Sequence, residues 1–449
     1  MSILKKLLQL KKKKISYYTT PSHAQTLPFK SVLGKNYYAI DLSEVDGLDN
    51  LNFPETCIAD FEEKLKEIYD SGFSHILTNG STQGILGLML ATIKDGDKVI
   101  CTANCHKSVH NGLVLTGANP IWVEPNFDNE FGFYTSVNYQ KLEAAILENT
   151  DAKCLIVTNP TYDGAMTDVA KISRLCKEHD ITFIVDEAHG ALWNFDRTIG
   201  TPAILVGADA SVQSLHKTCG AVNPAAVVHL SLKSKITKAQ LMDALNLIST
   251  TSPSFALMCN IEETVNYLKS NKGQKNIELL INTIVKTISK LKKLEYIRVF
   301  DKYNDLTRIA IKFTNLTAQE ASEILYKKFK IECEIQHKQT LTFVCGIGTT
   351  IKKIEKLYDA IKYLNKLSKR RMPIEQDEFS AIEKEIVKKP KEAFYAKYEE
   401  VLPTNAVGKI SADLITTYPP GIPVLTYGER ISEEHIKILN QDNKIRIVK

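Results

Sequence analysis

The chain has 449 residues, enough for a large core and more than one domain. Its 44% hydrophobic and 24% charged residues fit an ordinary globular protein, and a net charge of +5 is too small at this size to argue for nucleic acid. No apolar run approaches the roughly 20 residues of a membrane span, and the nine cysteines lack paired ligand spacing, so neither a membrane span nor a metal site is expected.

Cys101 and Cys105 come closest to a ligand pair, but no second pair follows. Scattered thiols of this kind suit a reducing compartment, and a cytoplasmic location is expected.

Residues 1–55 read as a loop-rich N-terminal arm punctuated by Pro21, Pro28, Gly34, Gly47 and Pro54. The arm is acid-free up to Asp41 and carries the run Lys11 to Lys14. It lacks the apolar region of a secretory signal. The simplest reading is a solvated arm that packs on a partner subunit; targeting or attachment to an anionic surface would use the same charge.

From residue 56 helices and strands alternate. "CIADFEEKLKEIYDSGF" has helical spacing, "SHILTNGST" is a strand entering a turn, and "QGILGLMLATIKDG" is an apolar helix closed by Gly96. "DKVICTA" is a strand, "QKLEAAILENTDA" a helix, and "KCLIVTNPTYDG" a strand and loop. "VAKISRLCKEHD" is a helix, followed by the strands "ITFIVDEAHG" and "ASVQSLHKT". Short apolar strands alternating with helices imply a mainly parallel sheet covered on both faces, assigned to a large domain over 56–270. Residues 271–371 read as a smaller α+β domain with the strands "IRVFDKY", "TRIAIKFT", "KIECEIQH" and "TLTFVCGI". Residues 372–449 read as a C-terminal segment or subdomain.

Three features carry chemistry. Asp186 ends an apolar strand, at the sheet edge where open α/β sheets bind ligands; taken alone it could be a helix N-cap. Gly80, Ser81 and Thr82 stand at a strand-to-helix turn whose N–H and hydroxyl groups suit one phosphate, though many such turns are simple caps. Lys217 lies 31 residues past Asp186 in a weakly polar stretch. An amine in a low-dielectric site has a lowered pKa and condenses with aldehydes, and Ser214 could add a further phosphate hydroxyl. A phosphate cradle, a carboxylate and a buried lysine in that order define a pyridoxal phosphate site, in which the carboxylate keeps the pyridine nitrogen protonated.

The chain resembles the Orn/Lys/Arg decarboxylases of the fold type I, aspartate-aminotransferase-like pyridoxal phosphate enzymes. The stretches that carry the resemblance are "DLSEVDGLDNL" (41–51), "TNGSTQGILG" (78–87), "CHKSVHNGLVLTG" (105–117), "VTNPTYDG" (157–164), "IVDEAHGA" (184–191), "QSLHKT" (213–218), "STTSPSFALM" (249–258) and "YPPGIPVLTYGE" (418–429). The resemblance implies that Lys217 carries the internal aldimine and that Asp186 pairs with the pyridine nitrogen. It implies that His106 stacks on the ring and helps in proton transfer, that His189 lies beside the ring, and that Ser81, Thr82, Ser214 and His216 hold the phosphate. Glu429 would face the distal amine or guanidinium of the substrate, across the interface of a homodimer or dimer-based oligomer. Three features depart from the family, one being "CGAVNPAAVVH" (219–229), which differs from the more hydroxyl-rich run common after the lysine. About 50 residues precede the cofactor domain, as in the short form, and "PSHAQ" (21–25) has Ser22 and Ala24 where short members often carry Gly and Lys.

The expected reaction is decarboxylation of a basic amino acid, arginine favoured over lysine and ornithine. The alternatives are another fold type I enzyme (an aminotransferase or aldolase) and a non-catalytic protein of this fold that binds a partner.

Overall fold

The computed structural model describes residues 2–374, 384–417 and 422–449. The first residues of the motif "YPPGIPVLTYGE", 418–421, lie outside the described residues.

A seven-stranded sheet forms the centre. Its strands are β1 (Phe73–Leu77), β2 (Lys98–Thr102), β3 (Asn119–Val123), β4 (Cys154–Thr158), β5 (Thr182–Asp186), β6 (Ala210–Gln213) and β7 (Ala226–Leu230). Their order is β1-β7-β6-β5-β4-β2-β3, and β7 alone runs against the others. Strands such as "CLIVT" and "TFIVD" are apolar almost throughout because helices cover both faces. One face packs Leu77, Val212 and Val228 against Leu88, Leu113 and Leu241 from three helices. The other packs Leu155, Phe183 and Val185 against Leu142, Ile146 and Ile172. This is the mainly parallel α/β sheet of fold type I.

A second, antiparallel sheet contains β8 (Ile297–Val299), β9 (Arg308–Phe313), β10 (Ile335–Gln336) and β11 (Thr340–Val344), in the order β8-β9-β11-β10. The helices Asn271–Leu291 and Ile351–Ser368 pack on it through one continuous core that also takes in Tyr18 of the arm. The C-terminal residues pair Tyr398–Val401 with Ile445–Val448 around Leu425, Ile431 and Ile447. They dock on the large sheet's layer where Ala393 and Tyr427 meet Val114.

Two local expectations need correction. "SLHKT" does not continue a strand: β6 ends at Gln213 and Leu215–Thr218 forms one helical turn. The arm is not all loop either. Ile3–Lys12 is helical, built from good helix formers and capped by Ser2, whose hydroxyl accepts from the Lys5 N–H at 3.3 Å. Ile3, Leu4, Leu7 and Leu8 on it are all exposed. Further on, Ser16–Tyr18 adds in parallel to Ile331–Cys333 and ties the arm to the second sheet.

Candidate active site

The turns that leave the carboxyl edges of β1, β4, β5 and β6 converge on one cavity of about 760 Å³. Gly80, Ser81, Thr82, His106, Asp186, His189, Ser214, His216 and Lys217 all line it. Glu429 does not.

At one end, Gly80 opens the helix Gly80–Thr92 with φ +71°, a backbone that favours glycine. The turn brings the Ser81 hydroxyl to 2.6 Å from that of Ser214. Thr82 follows on the same first helical turn, so a hydroxyl-rich helix start faces the cavity. His216 donates its Nδ1–H to the Ala225 carbonyl at 2.9 Å. Burial holds the pKa of this ring down to about 4, so Nε2 is bare in the neutral form and accepts until an anion draws a proton onto it.

Asp186 ends β5, is 5% exposed, and accepts from the Ala188 N–H at 3.1 Å. Burial raises its pKa and the nearby Lys217 amine opposes that rise. Its neighbour Glu187 turns the other way, as alternation along a strand requires. Glu187 accepts from the Ala203 N–H at 2.8 Å and from Gln213 at 2.6 Å, so this acid of "DEAH" braces the sheet edge.

Lys217 sits on the turn after β6, its Nζ 2.8 Å from His189 Nε2 and 5.4 Å from the centre of the Tyr162 ring. Burial pulls its pKa down to about 8; Arg308 pushes the same way, while Asp186 and Glu334 oppose. His106 caps the helix Lys107–Thr116 by accepting the Ser108 N–H on Nδ1 at 3.2 Å, which places the proton of the neutral ring on Nε2. Burial, followed by the Lys217 charge, lowers the His106 pKa to about 3.

Glu429 is fully buried within the C-terminal unit. It accepts from the Thr426 N–H at 2.9 Å and lies 3.5 Å from Lys384 and 3.3 Å from His435. Within the chain Glu429 does not line its own cavity; Lys384, 3.5 Å from it, does, and Glu429 stands behind Lys384. The cause is local: one carboxylate oxygen accepts from its own turn and lies near Lys384, and the other faces His435.

Two family models match the chain. One, described as Orn/Lys/Arg decarboxylase, major domain, covers residues 3–326. The other, described as Orn/Lys/Arg decarboxylase, C-terminal domain, covers residues 373–442. The chain belongs to the Orn/Lys/Arg decarboxylase family. It is 28% identical to the arginine decarboxylase of Bacillus subtilis over 424 residues, 92% of this chain and 86% of that one. In fold it is similar to the lysine decarboxylase of Francisella novicida, with TM-score 0.79 at 18% identity over 99% of this chain and 83% of that one. The constitutive lysine decarboxylase of E. coli matches with TM-score 0.78 at 18% identity, over 93% of this chain and 76% of that one.

Several residues of this decarboxylase-family site were not singled out by sequence reasoning. Thr20, Tyr162, Glu124, Asp163 and Lys384 line the cavity, and Arg308 lies directly behind His189. Tyr162 and Asp163 stood inside the quoted "NPTYDG". Arg308 had a readable signal, a cation that opens the apolar strand "RIAIKF", every residue of which is buried, Lys312 included. The arm also contributes more than its departure from the short-form pattern suggested. Thr20 reaches the cavity wall, and the Ser22 N–H donates to the His216 carbonyl at 2.9 Å, beside the Lys217 turn.

Proposed function

We propose that this chain binds pyridoxal phosphate on Lys217 and decarboxylates arginine. The reaction class, decarboxylation of a basic amino acid, follows from family membership; cofactor, residue roles and choice of substrate are our reading. The observation that carries it is that one cavity is lined by a lysine of lowered pKa, a buried carboxylate at a strand end and a pair of hydroxyls at a helix start.

These residues fit the cofactor's chemistry. Gly80, Ser81, Thr82 and Ser214 would hold its phosphate, with His216 as a further contact once protonated by that anion. Asp186 would keep the ring nitrogen protonated, a task suited to a carboxylate screened from water. When bound, the cofactor supplies an electron sink for the charge left at Cα as CO₂ departs. Lys217, uncharged above about pH 8, is the amine that holds the aldehyde. His106 presents Nε2–H and stays neutral down to about pH 3, so it can donate a hydrogen bond at neutral pH without carrying a charge into the site. His189 and Tyr162 flank Lys217, their rings 4.3 Å apart.

A basic side chain needs acidic company in a buried pocket. Besides Asp186, the carboxylates on the cavity wall are Glu124 and Asp163. Planar carboxylates pair with a guanidinium through two parallel hydrogen bonds, which an ammonium cannot match. That chemistry and the name of the Bacillus relative support arginine. A homodimer is the proposed working unit, and the nine unpaired cysteines suit a reducing, cytoplasmic setting.

The test is CO₂ release from arginine, lysine and ornithine by wild type, Lys217→Ala and Asp186→Asn. Release is expected from arginine, with activity abolished in the first variant and reduced about a hundredfold or more in the second. Release from lysine or ornithine alone would replace the substrate; cofactor uptake with no release from any of the three would sink the activity.

A further inference from the structure

His189 lies between two cationic side chains. Its Nδ1 is hydrogen-bonded to an Arg308 terminal nitrogen, and its Nε2 lies 2.8 Å from Lys217 Nζ. A guanidinium has donors and no acceptor and does not give up its proton in proteins. Nδ1 must therefore accept. The single proton of the neutral ring is left on Nε2, aimed at Lys217. The lysine nitrogen can accept that proton only as an uncharged amine, since an ammonium has no lone pair. The other tautomer would set two N–H groups face to face at Arg308, and an imidazolium would do so as well.

We propose that Arg308 is a positioning residue that fixes His189 in its Nε2–H tautomer, and that His189, by presenting a donor, thereby disfavours the ammonium of Lys217 and favours the uncharged amine able to condense with an aldehyde. This rests on the reading of Lys217 given above.

Arg308 is itself held rigidly. It is 1% exposed and does not line the cavity, so it acts through His189. It donates to Thr307 Oγ1 at 2.6 Å, and Thr307 in turn donates its hydroxyl and N–H to Asp305. The other Asp305 oxygen accepts from Trp193 Nε1 at 3.0 Å. Gly164, at φ +99°, closes over Arg308 so tightly that an added Cβ would come within 2.6 Å of the arginine Cβ. The chain from Trp193 to Lys217 is thus a relay of fixed donors and acceptors that joins the two sheets.

Other titratable groups face the pair. Asp186 and Glu334 act on Lys217 from one sign, and His106 and His216 act on His189 from the other. Tyr162 lies against both. The side chains bonded to the nitrogens of His189 are Arg308 and Lys217.

The experiment uses the full chain freed of cofactor and labelled with 15N-histidine. Long-range proton–nitrogen spectra are recorded from pH 6 to 9 on wild type, Arg308→Met and Arg308→Gln. In a second arm, the pH midpoint for condensation with added pyridoxal phosphate is measured, with Lys217→Ala as the blank. Wild type is expected to show neutral His189 with its proton on Nε2 throughout, and a condensation midpoint near pH 8. Arg308→Met should admit the Nδ1–H tautomer and raise the midpoint by about one unit. Arg308→Gln, which keeps a donor but no charge, should retain the wild-type tautomer and most of the low midpoint. Nδ1–H or imidazolium in wild type overturns the proposal, whether or not the variants fold. So does an equal midpoint shift in both variants with an unchanged tautomer, which would leave Arg308 a mere charge. Failure of wild type to condense at any pH would instead defeat the reading of Lys217, because the spectra need no cofactor.

Discussion

Ser81 and Ser214, 133 positions apart in sequence, share a hydroxyl–hydroxyl hydrogen bond of 2.6 Å at one end of the cavity. One stands on the first turn of the helix after β1 and the other just past β6, so the bond closes the two halves of an anion cradle. A phosphate there would take donors from both. Ser81→Ala and Ser214→Ala should each weaken pyridoxal phosphate binding about tenfold, since a hydrogen bond to a charged group contributes about 1.5–3 kcal/mol. Because the two hydroxyls touch, the double variant should lose less than the product of the single effects. Fluorescence titration of cofactor-free protein measures all three, and single variants with wild-type affinity would place the phosphate elsewhere.

The Lys217 amine makes the stability of the cofactor-free protein depend on pH. Its folded pKa is lowered to about 8, against about 10.4 for an unfolded lysine. Between those values the unfolded chain binds the extra proton, so stability rises as pH rises through that window. At pH 7 both states are protonated and the cost of burying the charge is fully present. Lys217→Met keeps the stem and removes the charge. The variant should be more stable than wild type at pH 7, and the gap should close by pH 10. Denaturant unfolding at the two pH values reads this directly; parallel pH profiles would contradict the lowered pKa.

The sequence showed the site more completely than it showed the sheet. Asp186 and Lys217 were readable because each breaks an apolar pattern at a sheet edge, and the Gly80–Thr82 turn because glycine and two hydroxyls open a helix. β3 escaped notice because Pro120 interrupts it; as an edge strand it tolerates a residue with no N–H. β7 opens with alanine after a proline turn and carries His229 next to its last residue, so its strand signal is weak. The partners of Arg308 and Glu429 were beyond reach for a different reason. Both turn toward partners distant in sequence, Arg308 to His189 and Glu429 to Lys384, and spacing along the chain does not encode which way a buried charge turns.

Glu429 is the clearest such case. Its carboxylate is fully buried against Thr426, Lys384 and His435. Glu429→Gln keeps the shape and leaves the buried Lys384 ammonium without its counter-charge. Removing one partner of a buried pair costs about 3 kcal/mol, so the melting temperature should fall clearly. Adding Lys384→Met removes the stranded charge and should recover much of the loss. A wild-type melting temperature with a collapsed kcat/KM would mean that the assembled enzyme turns Glu429 toward substrate after all.

Gly84 tests how closely the helix that carries Ser81 must lie on the sheet. An added Cβ at this position would sit 2.7 Å from both Leu77 Cδ1 and Val212 Cγ1, which belong to β1 and β6. Alanine favours a helix interior over glycine by about 1 kcal/mol, whereas overpacking a tight core costs about 1–3 kcal/mol. The contacts are against branched side chains fixed on two strands, so the steric cost should win and Gly84→Ala should destabilise the protein by about 1 kcal/mol. The helix can relieve the clash only by lifting from the sheet, and its first turn holds Ser81. Cofactor affinity should therefore drop with stability, although Gly84 itself does not line the cavity. Val212→Ala removes the two Val212 methyls that the new Cβ would meet and leaves only the end of the Leu77 side chain to shift. If the double variant Gly84→Ala/Val212→Ala regains affinity relative to Gly84→Ala, the helix-to-sheet distance sets the phosphate cradle; if it does not, the cradle is set by its own turn.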